Sequence, residues 1–188
     1  MSAVPRLLTE RLVLRGWRHQ DLDEYAAMAA DRELTRYVGG VLDRDQAWRQ
    51  MAMFSGHWQL RGYGQWAIEH AADGRLLGRA GLWCPSGWPG VELGWALRRD
   101  AHGHGYATEA AWAAIEWAWK SLPSVAELIS LIAPENSRSA RVAARLGMVP
   151  RGLVTVLGSS CEVWTLPRPG GGASESGVAT AGGGPSVT

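Results

Sequence analysis

Glycine and histidine alternate over residues 102–105, where an apolar segment ending at Leu97 gives way to an alanine-rich segment starting at Tyr106. The apolar segment predicts a strand and the alanine-rich segment a helix, so the glycines occupy a strand-to-helix turn. Backbone N–H groups converge at the start of a helix, and the helix dipole adds positive potential there. Gly103 and Gly105 have no side chains that would block a ligand. The pattern favours a pyrophosphate site, although an ordinary glycine-rich turn has the same glycines.

Two other phosphate-binding patterns and a metal site are disfavoured by the same stretch. No Gly-Lys-Ser or Gly-Lys-Thr sequence follows the glycines, as a P-loop requires. Thr108 stands where a dinucleotide-binding fingerprint needs a third glycine or an alanine. His102 and His104 lie two residues apart, but no third histidine, cysteine or carboxylate stands at metal-ligand spacing. We therefore expect no metal.

The composition is that of one globular domain without an extended charged surface. The 188 residues include 19 basic and 18 acidic side chains, a net charge of +1, which argues against a nucleic-acid partner. No apolar run approaches the roughly 20 residues that cross a bilayer, and residues 1–6 lack a signal core. We expect a cytoplasmic protein with no membrane partner, in which Cys84 and Cys161 are reduced thiols.

The order of predicted elements indicates an α/β fold. A strand over 9–17 precedes helices over 20–30 and 43–60, and Asp43 and Gln46 cap the second helix. The remaining order, three strands, a helix, a strand, a helix and two strands, predicts a mixed, mostly antiparallel sheet flanked by helices. Residues 1–166 form the predicted domain, and the Gly-, Ser- and Pro-rich residues 167–188 a disordered tail. The remaining predicted bounds are 65–70, 76–83, 91–97, 106–121, 127–133, 137–145, 148–156 and 162–166.

Two motifs resemble those of the GCN5-related N-acetyltransferase (GNAT) superfamily. Its acetyl-CoA motif, Gln/Arg-x-x-Gly-x-Gly/Ala, is similar to residues 102–107, with histidine at the first position. Gly103–Ala110 reproduces the Gly-x-Gly-Tyr-Ala-Thr-Glu-Ala pattern typical of the ribosomal-protein N-terminal acetyltransferase (RimJ/RimL-like) branch. Residues 136–148 resemble the second motif of that branch, and residues 8–15 resemble its opening segment. The resemblance covers residues 8–166 and implies the GNAT fold.

The resemblance implies an enzyme that uses acetyl-CoA as its co-substrate and acetylates an amine. The acceptor would be a small-molecule amine or a peptide N-terminus, and homodimers are common among such enzymes. The residues implied in acetyl-CoA binding form three groups. They are Ala96, Leu97 and Arg98 beside the pantetheine arm, then His102, Gly103, His104, Gly105, Tyr106, Ala107 and Thr108 around the pyrophosphate, and finally Asn136, Ser139 and Arg141 near the thioester and a phosphate.

Two residues are candidates for proton transfer when the amine attacks the thioester directly. Glu92 either takes a proton from the attacking ammonium or only pairs with a surface arginine. Ser139 either donates a proton to the departing thiolate or only hydrogen-bonds the ligand, and Tyr106 is a weaker candidate for the donor. Asp100 and Glu109 are expected to be structural. The alternative to an enzyme is a catalytically silent module that binds acyl-CoA.

Aromatic and small residues are expected to shape the rest of the domain. Alanines recur at three- and four-residue spacing along helix 106–121, which predicts close packing of this helix against the sheet. Most of the eleven tryptophans should be core or half-buried residues. We expect four of them near the loops that cover the acceptor in the resembled family, namely Trp58, Trp66, Trp83 and Trp88.

Overall fold

The framework of the protein is a sheet of eight strands in the computed structural model, which describes residues 3–170. The strands are β1 (Leu7–Leu8), β2 (Leu12–Arg15), β3 (Gln65–His70), β4 (Leu76–Trp83), β5 (Glu92–Leu97), β6 (Glu127–Ile132), β7 (Val149–Val156) and β8 (Ser159–Pro167). Their order in space is β1-β2-β3-β4-β5-β6-β8-β7. Every neighbouring pair is antiparallel except β5 and β6. The predicted mixed, mostly antiparallel sheet is confirmed.

Five α-helices flank this sheet within residues 3–170: α1 (Leu22–Ala29), α2 (Arg32–Thr35), α3 (Arg44–Arg61), α4 (Tyr106–Ser121) and α5 (Ser137–Arg145). The capping prediction for α3 is confirmed, because Asp43 and Gln46 exchange side-chain and backbone hydrogen bonds. Gly62 ends this helix at φ 74°. The sequence did not indicate α2, whose four residues are too few to show a helical period. None of the described helices combines the length and hydropathy needed to cross a membrane.

The two faces of the sheet are covered by different helices. Ala67 and Ala96 pack with residues of α1 and α3, whereas their neighbours Trp66 and Leu97 pack with residues of α4. This alternation follows from the two-residue period of a strand. Four of the five alanines predicted for the small-residue face of α4 are buried, Ala110, Ala111, Ala114 and Ala118, whereas Ala107 is half-buried and lines the cleft. Small side chains let this helix lie close to the strands beneath it.

The sheet opens between β5 and β6. On one side, β5 pairs with β4 through six residue pairs, from Glu92 to Leu97. On the other side, β5 pairs with β6 only at Glu92 and Ile129, where the Ile129 N–H donates to the Val91 carbonyl at 2.9 Å. Beyond this point the two parallel strands diverge, and the β6 side of Trp95 to Leu97 borders a cleft. The open edge of β5 is thus available to a ligand.

The end of the described chain is part of the folded domain. Strand β8 lies between β6 and β7 and continues to Pro167. The Arg168 guanidinium donates hydrogen bonds to the carbonyl oxygens of Trp119, Leu122 and Val125, which terminate α4 and begin the following loop. The domain therefore extends beyond the predicted boundary at residue 166. The rest of the predicted tail, residues 171–188, lies outside the described residues.

Candidate active site

The predicted phosphate-binding turn connects β5 to α4. Gly103 and Gly105 have φ angles of 82° and 81°, in the left-handed region that glycine adopts without steric cost. A Cβ atom at Gly103 would meet nothing within 4 Å, so the space beside the backbone is open. His102 Nε2 lies 2.9 Å from the Leu97 carbonyl oxygen, which ties the start of the turn to the end of β5. The N-terminal N–H groups of α4, a helix of 16 residues, are therefore suited to an anion.

An ion pair holds the turn from the opposite side. The Glu109 carboxylate accepts hydrogen bonds from the Thr9 hydroxyl at 2.6 Å and from the Arg11 N–H at 3.0 Å. It also binds the Arg11 guanidinium, at 2.8 Å to Nε and 2.6 Å to Nη2. Arg11 in turn donates to the His104 carbonyl at 3.0 Å and lies over the Tyr106 ring at 4.7 Å. The predicted structural role of Glu109 is confirmed.

The turn opens into a cleft of about 1080 Å³. Its wall contains most of the residues predicted to bind acetyl-CoA. These are Ala96, Leu97, His102, Gly103, Gly105, Tyr106, Ala107, Thr108, Asn136, Ser139 and Arg141. Arg98 and His104 lie outside the wall: Asp100 and Glu24 bind the Arg98 guanidinium, and the His104 ring stacks on Tyr106 at 5.5 Å.

Arginines that the sequence interpretation did not single out increase the positive charge of the cleft. Arg138, Arg141 and Arg145 follow one another on α5 at helical spacing, and Arg36 lies in the same wall. None of these four makes a salt bridge within the described part of the chain. Arginine matches the geometry of phosphate oxygens. The spacing of the three α5 arginines was the signal in the sequence, but only Arg141 was selected.

The first turn of α5 contributes Asn136 and Ser139 to the cleft. The Asn136 side-chain oxygen accepts a hydrogen bond from the Ser139 N–H at 3.2 Å, as expected of an N-cap residue. Because capping uses the amide oxygen, the Asn136 side chain is left with its two N–H donors for a ligand. The Ser139 hydroxyl makes no hydrogen bond within residues 3–170. It is thus able to donate to a ligand atom in the cleft.

Glu92 stands at the point where β5 meets β6, and it is not part of the cleft wall. Trp88 Nε1 donates to its carboxylate at 2.7 Å. Burial raises the pKa of Glu92, although the Trp88 hydrogen bond and the positive charge of Arg79 oppose this shift. No arginine of residues 3–170 lies within salt-bridge distance of Glu92. A raised pKa brings a carboxylate closer to the range of an effective base near neutral pH.

A polar row beside Glu92 lies on the face of the sheet that α1 and α3 cover. Gln65 is 1% exposed and donates from Nε2 to the Gly81 carbonyl at 2.9 Å. Its Oε1 accepts a hydrogen bond from Arg79 Nη1 at 3.0 Å. A Cβ atom at Gly94 would lie 3.6 Å from Gln65 Nε2 and 4.0 Å from Glu92 Oε1. The glycine therefore leaves a gap between an amide and a carboxylate. Sequence interpretation missed Gln65, the first residue of β3, and Arg79, the only charged residue of β4.

Two of the four tryptophans expected near the acceptor loops are core residues. Trp58 and Trp66 are buried with Trp117 in an edge-to-face cluster whose ring centroids lie 4.7–5.4 Å apart. Trp88, by contrast, binds Glu92, and Trp83 stacks on His57 at 4.4 Å. Trp58 and Trp66 are buried because they pack on the side of the sheet that α4 covers. The position of a loop in the sequence does not indicate this packing.

Known proteins were compared with this chain. Residues 11–149 match the family described as "Acetyltransferase (GNAT) domain". The uncharacterized protein YkkB of Bacillus subtilis is 30% identical over 157 residues, which cover 79% of this chain and 87% of that protein. No group of three or more potential metal-binding side chains was found in the described part of the chain.

Solved structures share the same architecture. An acetyltransferase from Agrobacterium tumefaciens has a TM-score of 0.79 and 31% identity, with 88% of this chain and 96% of that chain covered. A ribosomal L7/L12 alpha-N-protein acetyltransferase, RimL, solved in complex with coenzyme A, has a TM-score of 0.72 at 14% identity. That alignment covers 87% of this chain and 98% of the RimL chain, and at this identity it reports on the fold alone.

Proposed function

Because the chain belongs to the GNAT acetyltransferase family, we propose that it transfers the acetyl group of acetyl-CoA to a primary amine, either a protein N-terminus or a small molecule. The observation that carries this proposal is the glycine-bearing turn at the start of α4, which opens into the cleft where β5 and β6 diverge. Convergent N–H groups suit the pyrophosphate, and the α5 arginines, which form no salt bridge within residues 3–170, suit the remaining phosphate.

The open edge of β5 supports a place for the pantetheine arm. Residues 95–97 border the cleft on the side where β6 has diverged, so their backbone groups face a ligand rather than another strand. The amide groups of pantetheine are of the type that pairs with an exposed strand edge. An arm bound there would extend from the turn towards Gly94, and its thioester would approach the gap between Gln65 and Glu92.

Glu92 and Ser139 are the proposed proton-transfer groups. An amine with a pKa of about 8–10 is mostly an ammonium at neutral pH, so it must lose a proton before it attacks. Glu92 accepts that proton, directly or through a water, and the amine nitrogen then forms a bond to the thioester carbon while the carbon–sulfur bond breaks. The departing thiolate takes a proton from the Ser139 hydroxyl or from solvent, and the second proton that the nitrogen loses restores the Ser139 hydroxyl or passes to solvent. The products are an N-acetylated amine and coenzyme A.

The test is thiol release from acetyl-CoA in the presence of an amine panel. The panel contains peptides with N-terminal Ser and Ala, because structural neighbours from two Vibrio species are named as ribosomal-protein acetyltransferases. It also contains polyamines, aminoglycosides and free amino acids. We expect thiol release with at least one class. If no amine releases thiol while acetyl-CoA still raises the melting temperature, the protein is a silent acyl-CoA-binding module.

Glu92→Gln separates catalysis from binding. We expect kcat to fall by about 10²–10⁴-fold, the usual contribution of a general base, while the Kd for coenzyme A changes less than about threefold. Glu127→Gln is the matched control, since Glu127 is exposed at the start of β6 and its kinetics should match those of the parent. Ser139→Ala should cost less than Glu92→Gln, because a thiol with a pKa near 8.5 leaves readily. Full activity of Glu92→Gln would rule out its role as the base.

A further inference from the structure

Within the described part of the chain, Arg79 forms no salt bridge with a carboxylate. Arg15, on the same face of the sheet, is 5% exposed and pairs with both Asp21 and Glu69. Arg79 instead donates to the neutral Gln65 amide at 3.0 Å and lies 5.1 Å from the centre of the Phe54 ring. A half-buried guanidinium with neutral neighbours is costly unless an anion completes its environment.

Arg79 borders the cleft through a side cavity. A cavity of about 10 Å³, room for roughly one water molecule, is lined by Arg79 together with Tyr25 and Gln50. It shares Leu34, Val38 and Ala96 with the large cleft, so the two spaces adjoin at these three residues. Ala96 is also the partner of Arg79 in the β4–β5 register. The small Ala96 side chain thus lies between the cleft and Arg79.

Arg79 and Glu92 bracket the same gap from opposite ends. Gln65 links them, since its Oε1 accepts from Arg79 and its Nε2 lies 3.6 Å from the position that a Gly94 Cβ would occupy. Glu92 Oε1 lies 4.0 Å from that position on the other side. Arg79 and Glu92 do not form a salt bridge with each other, although the positive charge of Arg79 acts on Glu92 from a distance. A cation at one end and a carboxylate at the other complement a zwitterion.

We propose that Arg79 binds a carboxylate of the acceptor, and that the acceptor is a small amino acid whose amine faces Glu92. The inference rests on the proposed acetyl transfer and narrows its acceptor from amines in general to aminocarboxylates. In this arrangement the ammonium meets the general base while the carboxylate meets the guanidinium. A peptide N-terminus does not fit this description, because its first carboxyl group is an amide and carries no charge.

Matched acceptors and matched variants test the inference. The acceptors are free α-, β- and γ-amino acids, the corresponding amides, and the amines that lack the carboxylate, each supplied with acetyl-CoA. The proteins are the parent, Arg79→Met, Arg79→Lys and the control Arg44→Gln, which removes an exposed arginine paired with Asp23 at the start of α3. The ratio of kcat/KM for an amino acid to that for its decarboxylated amine is the readout. Melting temperatures verify that each variant is folded.

We expect this ratio to be about 10–100 in the parent and in Arg44→Gln, the range of a charge-assisted pair. It should fall to near 1 in Arg79→Met and be intermediate in Arg79→Lys, with the Kd for coenzyme A unchanged in all four proteins. Equal kcat/KM values for amino acids, amides and peptides in the parent would overturn the inference while leaving acetyl transfer intact. A ratio that Arg79→Met does not change would overturn it as well.

A binding measurement separates failure of this inference from failure of the proposed function. N-acetylated amino acids and the matching N-acetylated amines are titrated calorimetrically into the complex of the protein with coenzyme A. Tighter binding of the carboxylate-bearing compounds in the parent, lost in Arg79→Met, supports the inference even if no amine is acetylated. Equal binding of both compounds overturns it whether or not turnover occurs.

Discussion

Replacing Glu109 with alanine tests whether the phosphate-binding turn depends on the ion pair behind it. The carboxylate accepts three hydrogen bonds, from the Thr9 hydroxyl, the Arg11 N–H and Arg11 Nε, and Arg11 Nη2 lies 2.6 Å from it as an ion pair. Arg11 then reaches the His104 carbonyl at 3.0 Å, inside the turn itself. Removal of the carboxylate leaves the Arg11 side chain without its anchor. The turn should therefore become less ordered, and the domain should become less stable.

The expected loss of folding stability follows from the solvent exposure of the Glu109 and Arg11 side chains. Glu109 is 17% exposed at its side chain, so its bonds are strong, but Arg11 is 41% exposed and regains water when the carboxylate is gone. Thr9 also has the Leu12 carbonyl within 3.3 Å as a second acceptor. We therefore expect a loss of about 2–3 kcal/mol in the free energy of unfolding, less than three independent charged hydrogen bonds would give. For a protein of this length, that corresponds to a melting temperature lower by about 4–12 °C.

Binding of coenzyme A should weaken because the turn is no longer held in its binding conformation. Loss of about 1.4 kcal/mol of preorganisation raises the Kd about tenfold. Scanning fluorimetry and isothermal titration calorimetry measure the two effects in Glu109→Ala and in the control Asp23→Asn, which removes one charge of an exposed pair with Arg44. The control should change the stability by less than about 0.5 kcal/mol. Glu109→Gln should lie between the parent and Glu109→Ala.

Two results would refute this reasoning about the turn. One is a melting temperature of Glu109→Ala equal to that of the control, and the other is an unchanged Kd for coenzyme A despite a lower melting temperature. The pH dependence provides a further check. Although burial alone raises the pKa of Glu109, the bonds from Thr9 and Arg11 outweigh it and hold this pKa below its ordinary value of 4.5. The ion pair thus stabilises the fold above pH 4.5, is lost as the pH falls through the lowered pKa, and is missing in Glu109→Gln.

Three further changes give separate predictions. Gly94→Ala places a methyl group at ordinary contact distance, 3.6 Å from Gln65 and 4.0 Å from Glu92, so the melting temperature should stay within about 2 °C while the KM for the amine rises. Burial lowers the pKa of His57, so the melting temperature should fall as the pH drops below about 6.5, and His57→Gln should remove this slope. Arg168→Ala leaves three carbonyl groups without their donor and should lower the melting temperature by about 2–8 °C, measured by calorimetry.

Features that depend on neighbouring residues could be predicted from the sequence. The caps of α3 at Asp43 and Gly62 need only a few residues on either side, and so does the turn at Gly103 and Gly105. The long helix α4 could be predicted because its alanines repeat at helical spacing over 16 residues. A turn of four residues such as α2 has no such period, since its Asp31 cap is the only local signal.

Features that depend on distant pairs could not be predicted in the same way. Arg11 and Glu109 are 98 residues apart, and the sequence indicated a structural role for Glu109 without naming its partner. The same holds for Arg79 and Gln65, whose contact follows from the register of β3 on β4. Trp66 lies beside a loop in the sequence, and its side chain packs on the α4 face of the sheet. Strand register and the packing of α4 on the sheet decide these contacts, and no short motif encodes either of them.

The two halves of the candidate site differ in this respect, and the difference bears on specificity. In the proposed binding mode, backbone groups of a single turn match most of the phosphate charge, and a local motif can preserve that turn. The proposed acceptor face is assembled from residues of three strands, in rows that join Gln65, Gly81 and Gly94, and then Arg79 and Ala96. A change at one of these positions alters the charge or the volume above β5 without disturbing the turn. Acceptor specificity should therefore change by single substitutions in these rows, while acetyl-CoA binding is retained.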